Sequence, residues 1–113
     1  MAHRAQLSGY KGMWLIVMFD LPVKTGQDRR NYTFFRTTLL KAGFSRLQYS
    51  IYARYFSCED ASDTKRRHLQ GYLPPNGQVR LLSITDRQFG KMQVFFGKAR
   101  TDCEKPPDQL LLF

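Results

Sequence analysis

The spacing of hydrophobic positions changes along the chain, and each change marks an element. Met13 to Pro22 reads MWLIVMFDLP, an unbroken apolar run from Trp14 to Phe19 that stops at Asp20 and Leu-Pro. Continuous rather than alternating hydrophobicity predicts a central strand covered on both faces. In the TGQD that follows, Thr25 suits a helix N-cap, with Asp28 at capping-box spacing. The next stretch gathers Tyr32, Phe35, Leu39 and Ala42 on one helical face, and Gly43 suits the C′ stop. FSRLQYSIYARYF then switches to period two. Leu47, Tyr49, Ile51, Ala53 and Tyr55 point one way, and Arg46, Gln48, Ser50, Tyr52 and Arg54 the other, which predicts one long strand with an apolar and a basic face. A second helix fits Ala61 to Tyr72 and ends at LPPNG. VRLLSIT and KMQVFFG predict a third and a fourth strand, joined by a short turn, DRQFG.

With VRLLSIT or KMQVFFG as the returning strand, the order β-α-β-β-α-β predicts a ferredoxin-like α+β fold. A chain of 113 residues is one such domain, preceded by an N-terminal arm over residues 1–12. A lone ferredoxin-like sheet meets water on the face opposite its helices, where the first strand would still be apolar. A second copy packing sheet to sheet would cover that face, so a face-to-face homodimer is expected. The chain closes on KPPDQLLLF. Leu110, Leu111, Leu112 and Phe113 are too apolar for solvent. Residues 109–113 therefore read either as an extra docking strand on a sheet edge, this copy's or a partner's, or as a tail folded into its own core.

Charge narrows the range of partners. Lys and Arg number 18 against nine acids, a formal charge of +9. On so small a domain this favours a polyanion, nucleic acid being the usual one. No long apolar run or amphipathic basic helix points to a membrane. Cys58 and Cys103 are far apart, with no CxxC and no His at ligand spacing, which leaves neither a zinc site nor a disulfide framework. The N-terminal MAHRAQLSGYKG lacks a signal-peptide core, so a cytoplasmic protein is expected.

Catalytic motifs are scarce: there is no Gly-rich phosphate loop, no GxSxG and no HExxH. One acid stands out, Asp20 at the end of the central strand. It reads as a turn residue or as a metal ligand. One carboxylate holds Mg²⁺ poorly, but a twofold dimer would bring two copies of Asp20 together, and a shared ion could polarise a phosphodiester. The residues by themselves leave both readings open. The basic residues gather more clearly: Arg29, Arg30 and Arg36 on the first helix, Arg46 and Arg54 with Ser50 and Tyr52 on the polar strand face, and Lys65, Arg66 and Arg67 on the second helix. Together they suggest a surface that grips a nucleic-acid backbone.

MFDLP, RRNYTFFRTTLLKAGFSRLQYSIYAR and LPPNGQVRLLSITDRQF, in this order, resemble CRISPR-associated protein 2, in the branch that accompanies type II CRISPR systems. The resemblance runs from about Trp14 to Phe113. It implies a ferredoxin-like protomer, a face-to-face homodimer and a C-terminal strand added to the other protomer's sheet. The family's metal-binding aspartate falls on Asp20 and its first-helix arginine on Arg30. The arginine and serine of its RxQxS motif fall on Arg46 and Ser50. The following aromatic falls on Tyr52, where many relatives have Phe. The first function implied is a subunit of spacer acquisition that holds duplex DNA by its backbone and bridges dimers of the CRISPR-associated integrase. The alternative is a Mg²⁺-dependent endonuclease or endoribonuclease acting through Asp20, with DNA or RNA as substrate. A ferredoxin-like RNA-binding module is disfavoured, because no strand supplies its aromatic RNP1 motif.

Overall fold

The computed structural model describes residues 12–107. Strand β1 (Met13–Asp20) leads to helix α1 (Gly26–Lys41), strands β2 (Ser45–Gln48) and β3 (Ile51–Phe56), helix α2 (Glu59–Leu69) with a 3₁₀ turn (Gln70–Tyr72), and strand β4 (Gln78–Thr85). These make one antiparallel sheet in the order β2-β3-β1-β4. The split βαβ arrangement expected from the sequence is therefore present, with VRLLSIT as the returning strand. A short helix, α3 (Asp86–Gly90), and a separate hairpin of β5 (Val94–Phe96) and β6 (Ala99–Thr101) complete the described chain.

Helix α1 forms where the capping pattern placed it. The Thr25 hydroxyl accepts the Asp28 N–H at 3.0 Å, and the Asp28 carboxylate accepts the Thr25 N–H at 3.2 Å. At the other end Gly43 has φ of +89°, the left-handed conformation that lets the helix stop. The Arg54 guanidinium passes beside this turn and donates to the Ala42 carbonyl at 2.8 Å. Phe35 and Leu39 are fully buried, with Tyr32 and Ala42 packed beside them.

The core has two parts, one on each side of β1. Leu15, Val17 and Phe19 face the helices and meet Phe35, Leu39, Phe44, Tyr52, Phe56 and Leu69. Trp14, Ile16 and Met18 face the other way, with Leu47, Ile51, Ala53, Tyr55, Ile84 and Phe89. The uninterrupted apolar run is thus explained by two covered faces.

Four expectations need correction. FSRLQYSIYARYF is a hairpin, not one strand: the chain reverses at Tyr49–Ser50, where Ser50 has φ of +65°. Leu47 and Ile51 still share a face, so the alternation continues through the turn and conceals it. Tyr49, expected on the apolar face, is 69% exposed at this turn. The second helix starts two residues early, at Glu59, and its last residues tighten into the 3₁₀ turn. Finally, DRQFG is a helical turn, capped by Thr85 and Gln88, that folds back over the helix-free sheet face. Phe89 stacks on Trp14 with centroids 3.9 Å apart, and the Trp14 indole N–H donates to Asp86 at 2.7 Å. KMQVFFG is carried off the sheet by this turn, and only Val94–Phe96 pairs, with β6. The end of β1 nearest α3 is thereby covered by its own chain. Farther along, Ile16, Met18, Leu47, Ile51, Leu82 and Phe95 line an open apolar groove of about 370 Å³.

Phe89→Ala should lower unfolding free energy by about 3–5 kcal/mol, since it removes a fully buried ring and leaves a cavity beside Trp14. Urea unfolding followed by Trp14 fluorescence measures this. A loss below about 1 kcal/mol would show that α3 does not hold the far face.

Candidate phosphodiester site

Asp20 is the last residue of β1 and is exposed, opposite Gln78 of β4 in the ladder. The strand alternation puts it on the helix-free face with Met18 and Ile16. It borders an open cavity of about 340 Å³ together with Tyr49, Ser50, Gln78 and Arg80. Three segments build this corner. The Ser50 carbonyl accepts the Phe19 N–H at 3.1 Å, which ties the β2–β3 turn to β1. Gly77, with φ of +94°, lies so close that a Cβ there would come within 2.6 Å of the Asp20 carbonyl oxygen. Only glycine lets the LPPNG loop pass.

The structure brings together Asp20 and Ser50 among the residues singled out from sequence. Arg46 is not among the residues that line the cavity; its guanidinium lies 5.7 Å from the Tyr49 ring centre. Tyr49 also stacks with Tyr32 at 6.3 Å. Interaction of its hydroxyl with that of Tyr32 is the main cause holding the Tyr49 pKa above the usual tyrosine value, with Arg46 opposing.

Other expected contacts are used inside the fold. Tyr52 is 2% exposed and stacks on Phe19 at 5.7 Å, so it is a core residue and has no surface to offer a nucleic acid. Arg54 spans the Ala42 carbonyl and the Phe56 ring, at 4.5 Å from the ring centre, and holds the end of α1. Arg29 donates to the Val23 and Lys24 carbonyls at 3.1 and 3.2 Å, and Arg30 to Gln27 at 3.0 Å. Both border an open depression along α1 with Thr33, Phe34 and Thr37, separate from the Asp20 cavity. Arg36 and Lys65 are half-buried and Arg67 is exposed. Arg66 pairs with Asp63 at 2.9 Å. Leu110, Leu111, Leu112 and Phe113 lie outside the described residues, as does the N-terminal arm before Gly12.

Sequence reasoning missed Gln78, Arg80 and the exposed ring of Tyr49. Arg80 was legible as the one charge in VRLLSIT, but its neighbourhood depends on pairing with Met18 across the sheet.

A divalent ion would find one carboxylate per chain here, flanked by the Ser50 hydroxyl and the Gln78 amide. Among the described residues no three His, Cys, Asp or Glu side chains converge. One chain alone therefore offers Mg²⁺, which takes six oxygens, a single carboxylate and leaves most of its shell to water. Two copies of Asp20, brought together, would supply two.

A four-stranded βαββαβ sheet with one face turned from its helices, and a single exposed carboxylate at a strand end, defines a ferredoxin-like protein of basic charge. Residues 13–92 match the family model of CRISPR associated protein Cas2. The chain is 38% identical to a protein of Flavobacterium psychrophilum over 98% of this chain and 96% of that one. It is 41% identical to one of Paracidovorax avenae, over 95% and 99% of the two chains, and 42% identical to one of Parvibaculum lavamentivorans, over 89% and 100%. Each of these relatives is named CRISPR-associated endoribonuclease Cas2. The chain belongs to the Cas2 family. Among the described residues no helix is long and apolar enough to cross a membrane.

Gly77→Ala should destabilise the fold by at least about 1–2 kcal/mol, from the left-handed backbone alone, and shift the amide resonances of Asp20 and Leu21. Chemical denaturation and an amide spectrum check both. Unchanged shifts at Asp20 would show that the loop does not position it.

Proposed function

We propose that this chain is a metal-dependent endoribonuclease of a CRISPR system, acting as a twofold dimer in which two Asp20 carboxylates share one ion. The observation that carries this reading is the position of Asp20 on the helix-free face, continuous through Met18 with the apolar groove. A second copy covering that groove would bring its own Asp20 to the first. The names of the relatives favour the same chemistry, and so favour hydrolysis over the scaffold role that the sequence had put first.

Each residue has a part in this reading. The Asp20 carboxylates hold the ion and, with it, the substrate phosphate. Arg80, on the same cavity wall, supplies fixed positive charge to a phosphate that lies between the two copies. Ser50 Oγ and the Gln78 amide donate hydrogen bonds to the remaining phosphate oxygens. Mg²⁺, when bound, supplies Lewis-acid polarisation of the phosphodiester and makes a water more acidic. Among the described residues no histidine borders the cavity, so none of them offers a second general base near neutral pH.

A second reading is favoured by the same scarcity. A site with one carboxylate per chain, on a protein of +9 charge, also suits a subunit that grips duplex DNA by its backbone and bridges integrase dimers during spacer acquisition. There the C-terminal Leu110 to Phe113 would dock on the dimer mate or the integrase.

Asp20→Asn separates the two readings. Cleavage of a labelled single-stranded RNA in Mg²⁺ should fall by at least about a hundredfold, while light scattering still gives a dimer and thermal unfolding is unchanged. EDTA should abolish wild-type cleavage in the same way. Unaltered cleavage by the variant would exclude Asp20 as the metal ligand. Wild-type protein that cuts no RNA or DNA, yet enters a stable complex with the integrase, would establish the scaffold.

Binding to duplex DNA should weaken steeply with salt. If a dimer neutralises about six phosphates, log K falls with log salt at a slope of roughly −5. Titrations at several salt concentrations give the slope, and one near zero would remove the backbone-binding surface.

A further inference from the structure

The Asp20 corner carries an aromatic ring that no part of the catalytic reading uses. Tyr49 is 69% exposed, among the most exposed large hydrophobic side chains of the described residues. It sits at the tip of the β2–β3 turn, next to Ser50 and on the rim of the Asp20 cavity. Placing an aromatic ring in water forgoes the burial that usually decides its position.

The ring is nevertheless held. Tyr32 stacks on it at 6.3 Å with planes 26° apart, and Tyr32 in turn meets Phe19 edge-on at 5.8 Å. Phe19 belongs to the buried core and directly precedes Asp20. A continuous row of aromatics thus runs from the core out to Tyr49, so its distance from the carboxylate is set by packing. Arg46 adds a guanidinium 5.7 Å from the Tyr49 ring, and Arg80 stands across the cavity.

We propose that Tyr49 is a stacking platform for one unpaired nucleobase of a single-stranded nucleic acid whose backbone crosses the Asp20 cavity. This rests on the nucleic-acid reading above and names the substrate form that the site takes. Charge complementarity selects the occupant: an exposed ring with the Arg46 guanidinium 5.7 Å from its centre, on a chain of charge +9, suits a ligand with a flat apolar face and a phosphate beside it. A nucleotide has both. Every base offers a π-face, so the platform tolerates any sequence, whereas bases stacked inside a duplex cannot reach it.

The test is binding, measured without divalent metal so that cleavage plays no part. Fluorescence anisotropy of the whole chain is followed with three labelled probes of equal length: a mixed-sequence single-stranded RNA, a strand of the same backbone with abasic sites, and an RNA duplex. Stacking of one base is worth about 1–3 kcal/mol, so the base-bearing strand should bind roughly 5- to 150-fold tighter than the abasic one. Tyr49→Ala should lose that ratio and keep the weak, salt-sensitive affinity shared by all probes, while Tyr49→Phe should retain it. Asp20→Asn should leave the ratio intact, which separates this proposal from the catalytic one. A Tyr49→Ala protein that still prefers the base-bearing strand would overturn the proposal. So would a Tyr49→Ala protein that loses the preference together with its dimer mass in light scattering, because the ring would then serve contact between copies.

Discussion

Leu15, Val17 and Phe19 enter one core while Trp14, Ile16 and Met18 enter another, and both sets belong to a single strand. A strand buried on two faces cannot sit at an edge, so β1 takes the middle of the sheet between β3 and β4. The rest of the fold follows from covering it. Helices α1 and α2 lie over one side, where Phe35, Leu39 and Leu69 complete the larger core. On the other side, among the described residues, the cover comes from α3 with Phe89 and from the half-buried Cys103. The coverage gives out before the Asp20 end, and there the open groove begins.

That gradient of coverage leaves the proposed site open. Asp20 lies where β1 leaves the core, and its surroundings are three chain reversals: the exit of β1, the Tyr49–Ser50 turn and the LPPNG loop. Each is fixed by backbone chemistry. Ser50 takes a left-handed conformation and its carbonyl binds Phe19 N–H, while Gly77 passes the Asp20 carbonyl at a distance that excludes any Cβ. A carboxylate on a strand end is more rigid than one on a free loop, which suits the metal-ligand role proposed for Asp20.

Net charge also reads differently once the structure is known. Arg54 binds the end of α1, Arg29 and Arg30 make hydrogen bonds within the segment that enters α1, and Arg66 pairs with Asp63. These guanidiniums keep donors for a phosphate, since each has five, but their positions are set by the fold first. Arg80, with no such helix-end duty, borders the Asp20 corner, and Arg46 lies against the Tyr49 ring.

Periodicity and capping chemistry were enough for α1, because Thr25, Asp28 and Gly43 act within a few residues of one another. They were also enough for the two-faced burial of β1, which is a property of one short run. MFDLP marked Asp20 as an acid at a strand end, and the resemblance carried by the three motifs identified the family. The hairpin within FSRLQYSIYARYF was beyond such reading, because its turn preserves the alternation that signals a strand. So was the diversion of KMQVFFG, which depends on Phe89 finding Trp14 across the sheet. Tyr52 read as a surface aromatic because the residues two positions away on either side are Ser50 and Arg54; only packing against Phe19 made it core. Tyr49 moved the opposite way, from an inward position in the pattern to the rim of the cavity. Local backbone preference is written in adjacent residues and survives in the sequence. Which side chains meet across the sheet depends on long-range contacts, and those exist only once the chain has closed on itself.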